Sequence, residues 1–312
     1  MKFKKPKFWD LNKPNFLSYL LLVFTFPVII NNILINLKSK KKFSEIKTIC
    51  IGNIYIGGTG KTPTTIEIYN TLKKLKYKVT TGKKFYKSQR DEIILLEKKT
   101  DFITDFNRKK IVKKAIEKSN NFLIFDDGLQ DLNIDYDLKF VCFDGDNFIG
   151  NGQLIPSGPL REKLESLKKY DAVFFKNNNN SSFVELIKKN NSRIEIFNTF
   201  YKIKDLNKFD INKKYLIFSG IGNPKSFKKL LLENNFNIID EIIYPDHFDY
   251  KTNDIENIRK QALDLDAEII TTEKDYVKIL DKDRYDINFL EIKLKIENEK
   301  KLINFIKSKT NV

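Results

Sequence analysis

The first clear pattern along the chain is a long uncharged, largely apolar stretch near the N-terminus. Residues 14–37 carry no charged side chain, and their apolar part runs from Phe16 to Ile30. The length permits a membrane-spanning helix, but Pro27 and the asparagines after Ile30 weaken that interpretation, and no small-residue cleavage site indicates a signal peptide. A helix lying at a membrane surface fits best, because lysines and Trp9 flank the stretch. A buried core helix is the alternative.

Beyond residue 46, apolar runs typical of buried strands alternate with helix-like stretches. A strand is predicted over Thr48–Ile56, and a helix from about Thr62 to Lys76 follows a glycine-rich turn. Three further buried strands are predicted over Asn121–Asp127, Leu138–Asp144 and Asp171–Phe175. This alternation predicts an α/β fold, with a parallel sheet covered by helices on both faces.

The periodicity lapses over Phe200–Lys214 and then restarts. Strand-like stretches near residues 215, 238 and 267 alternate with helix-like ones near 226 and 255. We therefore predict a second, smaller α/β domain. The predicted boundaries are 1–42 for the N-terminal segment, 43–205 for the larger domain and 206–312 for the smaller domain.

Composition narrows the possible partners and sites. The 312 residues are 41% hydrophobic, which excludes global disorder. The net charge is +16, but the lysines are spread along the whole chain. No dedicated nucleic-acid partner is therefore expected, and an anionic membrane surface or a phosphate-rich substrate fits the same charge. Cys50 and Cys142 lie in apolar runs and are expected to be buried free thiols. His247 is the single histidine, which excludes zinc sites built on histidine pairs.

The strongest chemical signal is the sequence GGTGKTP at residues 57–63, between a predicted strand and a helix. Glycines let backbone N–H groups turn inward around phosphate oxygens, and a helix N-terminus adds positive charge. Lys61 is expected to reach the β- and γ-phosphates of ATP, and Thr62 to ligate Mg²⁺. Tyr55 occupies the first glycine position of the strict P-loop pattern. The predicted nucleotide-binding residues are Gly57, Gly58, Thr59, Gly60, Lys61 and Thr62.

Two further motifs carry acidic and basic side chains. Asp126 and Asp127 close a predicted strand, where acids suit a magnesium site beside a P-loop. Successive strand residues face opposite ways, so we expect one to serve the metal and the other to orient a neighbour. In GPLRE, residues 158–162, Arg161 is a candidate for neutralising phosphate charge and Glu162 for a further metal ligand.

The ordered set of motifs resembles the tetraacyldisaccharide 4'-kinase family, the lipid A 4'-kinases of Gram-negative bacteria. The resemblance runs from the N-terminal apolar segment to about residue 280. Its remaining motifs are Asp91-Glu92, Gly220–Pro224, Asp246-His247 and Thr271–Asp275.

The resemblance implies transfer of the ATP γ-phosphate to the 4'-hydroxyl of a tetraacylated disaccharide 1-phosphate. It also implies a P-loop kinase-like domain, a smaller α/β domain closing a cleft, and an N-terminal helix that is anchored in the membrane without crossing it. The expected location is the cytoplasmic face of the bacterial inner membrane. The expected cofactors are ATP and Mg²⁺, and no obligate protein partner is expected.

The resemblance also implies roles for particular residues. Asp91 corresponds to the catalytic aspartate and His247 to its partner, although Arg90 replaces the family's glycine before Asp91. Lys83 or Lys84 stands in for a family arginine. Asp91 and His247 fall in different predicted domains, so only cleft closure is expected to join them. The complete expectation is Asp91, His247, Lys61 and Arg161 for catalysis, and Thr62, Asp126, Asp127 and Glu162 for the metal.

Three alternatives are weighed against this expectation. The first is a P-loop kinase for another membrane-associated acceptor. The second is a membrane-bound nucleotide switch, for which Thr272–Asp275 lacks the asparagine of a guanine-specifying tetrad. The third is a nucleic-acid-binding ATPase, which a salt-sensitive gel shift would reveal.

Overall fold

The computed structural model describes residues 5–177 and 181–312, so the first four residues of the predicted segment 1–42 lie outside it. The helices in this part are α1 (Phe16–Leu21), α2 (Phe26–Leu37), α3 (Lys61–Lys74), α4 (Arg90–Lys99), α5 (Arg108–Glu117), α6 (Ser181–Asn190), α7 (Pro224–Glu233), α8 (Thr252–Asp264), α9 (Glu273–Tyr276) and α10 (Glu299–Thr310). The strands are β1 (Lys47–Gly52), β2 (Val79–Lys84), β3 (Phe102–Asp105), β4 (Phe122–Asp126), β5 (Leu138–Asp144), β6 (Ala172–Lys176), β7 (Glu195–Ile203), β8 (Lys214–Ser219), β9 (Asn237–Ile243), β10 (Glu268–Thr272), β11 (Ile287–Leu290) and β12 (Ile292–Ile296).

The larger sheet has eight strands in the order β12-β7-β6-β5-β1-β4-β2-β3. Strand β1 lies inside the sheet and pairs in parallel with β4 and β5. Its apolar residues are buried on both faces, which explains the continuous hydrophobic run in the sequence. The register pairs Ile51 with Asp126, so β1 and β4 end at the same edge.

The smaller sheet has four strands in the order β11-β10-β8-β9. All three pairings in this sheet are parallel. Leu216 and Phe218 of β8 face one apolar cluster with Ile258, whereas Tyr215 and Ile217 face the other. This alternation follows from the two-residue period of a strand with both faces covered. The two mostly parallel sheets confirm the predicted α/β class.

The described residues form two compact units. The larger unit comprises Lys5–Phe85, Lys99–Phe200 and Lys295–Val312, and the smaller comprises Tyr86–Lys98 and Tyr201–Leu294. This division differs from the predicted domains at two segments. Residues 86–98 belong to the smaller unit because Asp91 contacts His247. Residues 295–312 belong to the larger unit because α10 places Phe305 against Phe140 and Phe197.

Several strand boundaries differ from the predicted ones. Strand β1 ends at Gly52 rather than Ile56, because the chain turns there into the glycine-rich loop. Strands β2 and β3 were not predicted, although β2 lies next to β4 inside the sheet. Strand β2 ends in the polar residues Lys83 and Lys84, so its sequence lacks the continuous apolar run that predicts a buried strand.

Helices α1 and α2 are joined by a 3₁₀ turn over Leu22–Thr25, so residues 16–37 are helical throughout. The stretch is long and apolar enough to cross a membrane, but only 11% of its apolar window is buried. This exposure contradicts the alternative of a buried core helix. Its exposed apolar side chains are Phe16, Leu17, Tyr19, Leu20, Leu22, Val23, Phe24, Phe26, Ile30, Ile33, Leu34 and Leu37.

Candidate functional site

The glycine-rich loop joins the carboxyl end of β1 to the first residue of α3, Lys61. Gly57 and Gly60 have φ angles of 140° and 85°, which L side chains rarely adopt. Asn53 steadies the loop, since its Nδ2 donates to Thr59 Oγ1 at 3.1 Å. The N-terminal N–H groups of α3 therefore follow the loop directly, in the arrangement that binds phosphate. This placement agrees with the predicted nucleotide-binding turn.

Asp126 ends β4 and receives hydrogen bonds on both carboxylate oxygens. Thr62 Oγ1 donates to Oδ2 at 3.0 Å, and Thr65 Oγ1 donates to Oδ1 at 3.3 Å. Lys83 of β2 donates to Oδ2 at 3.0 Å, and both members of this ion pair are essentially inaccessible to solvent. The end of β4 thus brings β2, β4 and α3 together around one carboxylate.

The oxygens of Thr62 and Asp126 suit Mg²⁺, which prefers hard oxygen ligands in an octahedral shell. Among residues 5–177 and 181–312, no three His, Cys, Asp or Glu side chains are grouped to hold a metal. Most ligands of a magnesium ion here would therefore be phosphate oxygens and water, as is usual for nucleotide-bound Mg²⁺. The pair of oxygens fits that kind of site.

Asp127 follows Asp126 in a left-handed backbone conformation, with φ at 63°. Its N–H donates to the carbonyl of Ile51 at 2.8 Å, and its carbonyl accepts from Arg108 Nη2 at 2.6 Å. Arg161 Nη1 approaches Asp127 Oδ1 at 3.4 Å. The structure therefore turns the two aspartates toward different partners, as their adjacent positions predicted.

Glu162 is buried, and its Oε1 accepts two hydrogen bonds. Gln130 Nε2 and Tyr170 OH each donate to this oxygen at 2.7 Å. Burial, reinforced by the Glu162 charge, raises the pKa of Tyr170 well above its usual value, so its hydroxyl stays a donor. Gln130 also places its Oε1 3.4 Å from Arg161 Nη1. Gln130 therefore links Arg161 to Glu162, which are neighbours in the sequence.

The smaller unit brings Asp91 and His247 together. Asp91 lies in the first turn of α4, and both of its carboxylate oxygens are 2.9 Å from His247 Nδ1. His247 has a φ of 57°, and its backbone N–H donates to the carbonyl of Gly220 at 3.1 Å. Since both residues belong to the same compact unit, the expectation that they lie in different domains is corrected. Their contact needs no cleft closure.

Lys274 completes the surroundings of Asp91. Its Nζ lies 3.5 Å from Asp91 Oδ2 and 3.1 Å from Glu92 Oε1. Burial alone would raise the pKa of Asp91, but the His247 hydrogen bond and the Lys274 charge lower it below its usual value. Asp91 is therefore held as a carboxylate at neutral pH.

Asp91 and His247 line a cleft of about 260 Å³ within the smaller unit. Its wall carries four cationic side chains, Lys87, Arg90, Lys278 and Arg284, and three acidic ones, Asp91, Asp249 and Asp281. A buried carboxylate paired with an imidazole at a cleft wall can orient and deprotonate a hydroxyl group. Lys278 and Arg284 pair with Asp275 and Asp281, so Lys87 and Arg90 are the cations that suit a negatively charged substrate.

Comparison with known proteins decides the family. Residues 15–311 match the family described as LpxK, tetraacyldisaccharide-1-P 4'-kinase. The chain belongs to this family. It is an ATP-dependent kinase of lipid A biosynthesis, and its substrate class is a lipid-linked one.

Relatives of this kinase cover nearly its whole length. The tetraacyldisaccharide 4'-kinase of Pelagibacter ubique (strain HTCC1062) is 45% identical over 308 residues, covering 97% of each chain. The protein of the same name from Rickettsia bellii (strain OSU 85-389) is 34% identical over 316 residues, covering 96% of each. A crystal structure of LpxK from Aquifex aeolicus in complex with ATP superposes with a TM-score of 0.69 at 22% identity. It covers 94% of this chain and 99% of that one, and it confirms the fold.

Two residues that contact the candidate site residues were missed or left open by the sequence. Lys274 lay in a quoted motif, but nothing in that motif indicates contact with Asp91. Lys83 was one of two candidates for the family arginine, and its buried ion pair with Asp126 distinguishes it from Lys84.

Proposed function

We propose that the kinase transfers the ATP γ-phosphate to the 4'-hydroxyl of tetraacyldisaccharide 1-phosphate, with Asp91 accepting the proton of that hydroxyl. The observation that supports this role is the contact of Asp91 with His247 at a cleft wall. His247 orients the carboxylate, and Lys274 holds it ionised. The 4'-hydroxyl of the acceptor would then contact the Asp91 carboxylate, which carries no proton at neutral pH and can act as the base.

Phosphate binding is assigned to the glycine-rich loop of the larger unit. Gly57, Gly58, Thr59 and Gly60 surround the phosphates with backbone N–H groups, and Lys61 places its charge on the β- and γ-phosphates. Arg161 adds charge to the transferred phosphate. Transfer then depends on positioning and charge neutralisation, with no covalent enzyme intermediate.

Thr62 and Asp126 are the residues that would hold Mg²⁺. When bound, the ion supplies charge neutralisation to the phosphate oxygens. Asp127 and Glu162 remain candidates for metal ligands. Their hydrogen bonds to Arg161 and Gln130 support a role in holding Arg161.

The N-terminal segment is assigned to the cytoplasmic face of the bacterial inner membrane. A helix whose apolar side chains are exposed, flanked by lysines, is typical of a surface-lying anchor. This location places the enzyme at the surface that carries a lipid-linked substrate. The +16 charge adds attraction to anionic lipid headgroups.

The proposed reaction is tested by incubating the full chain with ³²P-labelled ATP, Mg²⁺ and tetraacyldisaccharide 1-phosphate. Mass spectrometry with fragmentation should place one added phosphate on the 4'-oxygen. Phosphate at another position, or transfer only to a different acceptor, would contradict the assignment. In the latter case a P-loop kinase for another acceptor becomes the better interpretation.

The membrane assignment is tested by flotation with vesicles of phosphatidylethanolamine and phosphatidylglycerol. Replacing Phe16, Val23 and Phe24 by serine should abolish flotation, because these side chains are 63–79% exposed. A matched control replaces three exposed apolar residues elsewhere, Phe106, Ile243 and Leu263. Equal flotation of both triple variants would mean that the segment is not the anchor.

A further inference from the structure

Tyr55 is an unusual residue within the glycine-rich loop, because it occupies a position that the strict P-loop pattern gives to glycine. Its side chain does not point into solvent, and the residue is only 3% exposed. The ring packs against Leu154 and Leu160, and the backbone forms an isolated antiparallel bridge with Leu160. A phenol buried in this way needs a partner for its hydroxyl.

The partner comes from the N-terminal segment. Tyr55 OH donates to Asp10 Oδ1 at 2.7 Å. Lys5 Nζ donates to the same Asp10 oxygen at 2.7 Å and to Tyr55 OH at 3.0 Å. Burial first, and the Asp10 hydrogen bond second, raise the pKa of Tyr55, so the hydroxyl stays protonated and keeps donating.

The same segment is attached firmly around Tyr55. Trp9 is buried, its Nε1 donates to the carbonyl of Pro156 at 2.9 Å, and its own carbonyl accepts from the N–H of Asn151 at 2.9 Å. In α2, Val28 and Ile29 pack against the cluster that contains Tyr55.

A second attachment reaches the loop of Arg161. Asn32 Nδ2 of α2 donates to the carbonyl of Arg161 at 2.9 Å. The N–H of Arg161 in turn donates to the carbonyl of Ile54, the residue before Tyr55. Helix α2 therefore contacts both of the hydrogen-bonded backbone segments that carry Tyr55 and Arg161.

We propose that Tyr55, held by Asp10 and Lys5, is a positioning residue through which the membrane-associated segment fixes the nucleotide loop. A loop with three glycines loses much conformational freedom when it closes on phosphate. Anchoring Tyr55 removes part of that freedom before ATP arrives, so less of the binding free energy is used for ordering. This inference rests on the proposed role of the loop in phosphate binding.

The arrangement couples nucleotide binding to the lipid surface. In water, the helical residues 16–37 expose a dozen large apolar side chains, and insertion into lipid favours the conformation that buries them there. If that conformation also holds Asp10 against Tyr55, lipid raises the affinity for ATP. By linkage, ATP must then raise the affinity for lipid by the same factor.

The test uses the full-length chain with Tyr55→Phe, which keeps the ring and its packing but removes the hydroxyl. Removing one hydrogen bond should raise the KM for MgATP about 5- to 10-fold, with a smaller effect on kcat. Vesicles of phosphatidylethanolamine and phosphatidylglycerol should tighten MgATP binding to the wild-type chain more than to Tyr55→Phe. Asp10→Ala should behave like Tyr55→Phe.

The matched control is Tyr69→Phe, which removes another tyrosine–aspartate hydrogen bond from the same unit. Tyr69 OH donates to Asp101 Oδ2 at 2.9 Å, and neither residue contacts the N-terminal segment through that bond. A positioning role predicts that Tyr69→Phe keeps the wild-type KM for MgATP and the wild-type response to vesicles. If both tyrosine variants changed the KM for MgATP and the vesicle response equally, Tyr55 would have only a structural role and the inference would be overturned.

The outcome for Lys61→Ala separates this inference from the proposed function. If Lys61→Ala is inactive but Tyr55→Phe has the wild-type KM and vesicle response, the loop binds phosphate and the coupling is overturned. If Lys61→Ala is fully active, the assignment of the loop itself fails. If Tyr55→Phe and Asp10→Ala share a raised KM and lose the vesicle response, the inference holds.

Discussion

Asp126 in the larger unit and Asp91 in the smaller unit are both buried carboxylates next to a lysine, but their surroundings differ. Asp126 is enclosed by two threonine hydroxyls and a lysine that is itself fully buried. Asp91 is almost as inaccessible, with 1% of its side chain exposed, but it contacts a histidine and a partly exposed Lys274 and it lines a cleft. A carboxylate whose neighbours are all buried suits the organisation of a site, whereas a carboxylate at a cleft wall suits contact with a substrate. The difference supports the roles proposed above, in which Asp126 belongs to the magnesium site and Asp91 accepts a proton.

The largest expected effect tests the reactive side of this comparison. Asp91→Ala and His247→Ala should each lower kcat about 10³-fold, the usual contribution of a general base. The double variant should be little worse than the worse single one, because the pair acts as a unit. Turnover of all four proteins at saturating MgATP measures this. The exposed Asp264→Ala is the control and should keep full activity.

Strictly multiplicative losses in that cycle would mean that Asp91 and His247 act independently. A harmless Asp91→Ala would move the catalytic base elsewhere, and Asp127 would be the next candidate. Either result would remove the distinction drawn between the two carboxylates.

Lys61 tests the phosphate side of the comparison. Lys61→Ala should lower turnover at least ~100-fold, because it removes a preorganised charge aimed at the phosphates. The residue is only half-buried, so thermal stability should change little. The control is Lys73→Ala on the same helix, whose exposed lysine pairs with Asp101. Near-normal turnover of Lys61→Ala would contradict the loop assignment.

Substitution of Lys83, unlike that of Lys61, should lower the stability of the fold strongly. Lys83→Met leaves the Asp126 charge buried without its cation, which should cost about 3 kcal/mol of unfolding free energy. Urea unfolding followed by the fluorescence of Trp9, the single tryptophan, reports on the larger unit. The exposed Lys74→Met is the control.

Adding Asp126→Leu to Lys83→Met should recover much of the lost stability, because the uncompensated buried charge is then removed as well. A Lys83→Met variant as stable as the Lys74→Met control would show that Asp126 is less enclosed than the structure indicates.

The smallest expected effect is a shift in pH dependence. The folded-state pKa of Asp91 lies below its unfolded value, so its ionised form contributes stability above the unfolded pKa. That contribution is lost as the pH falls through the folded pKa. Lys274→Met removes a cause of the lowered pKa, so the acid limb of kcat/KM should move to higher pH. Lys213→Met, whose lysine pairs with Glu268, should leave the limb in place.

The sequence predicted the strands and helices whose apolar patterns are continuous. Strand β5 was predicted with its observed bounds, and β4 and β6 within one residue at each end. Strand β2 escaped because Lys83 lies in it, and a lysine is buried there only because Asp126 neutralises it. Such a pairing depends on two strands that are far apart in sequence, which no local pattern reveals.

The candidate site was predictable where one motif carries the chemistry. The glycine-rich sequence at residues 57–63 was predicted to lie between a strand and a helix, and the structure places it between β1 and α3. The pairing of Asp91 with His247 was predicted only through the family resemblance. The predicted domain of Asp91 was wrong, because residues 86–98 belong to the smaller unit although the residues before and after them belong to the larger one. The Lys5–Asp10–Tyr55 network had no signal at all, since its members are ordinary residues at unrelated positions.

The chain order of the two units has a consequence for biosynthesis. Strand β12 adjoins β7 in the larger sheet, yet about ninety residues of the smaller unit are translated between them. At ~5–20 residues per second, the edge of β7 waits roughly 5–20 s for its partner. An unpaired edge strand is a template for aggregation. A ribosome-bound chain of this kinase should therefore need a chaperone during that interval, and slow codons within residues 204–290 should lower its soluble yield.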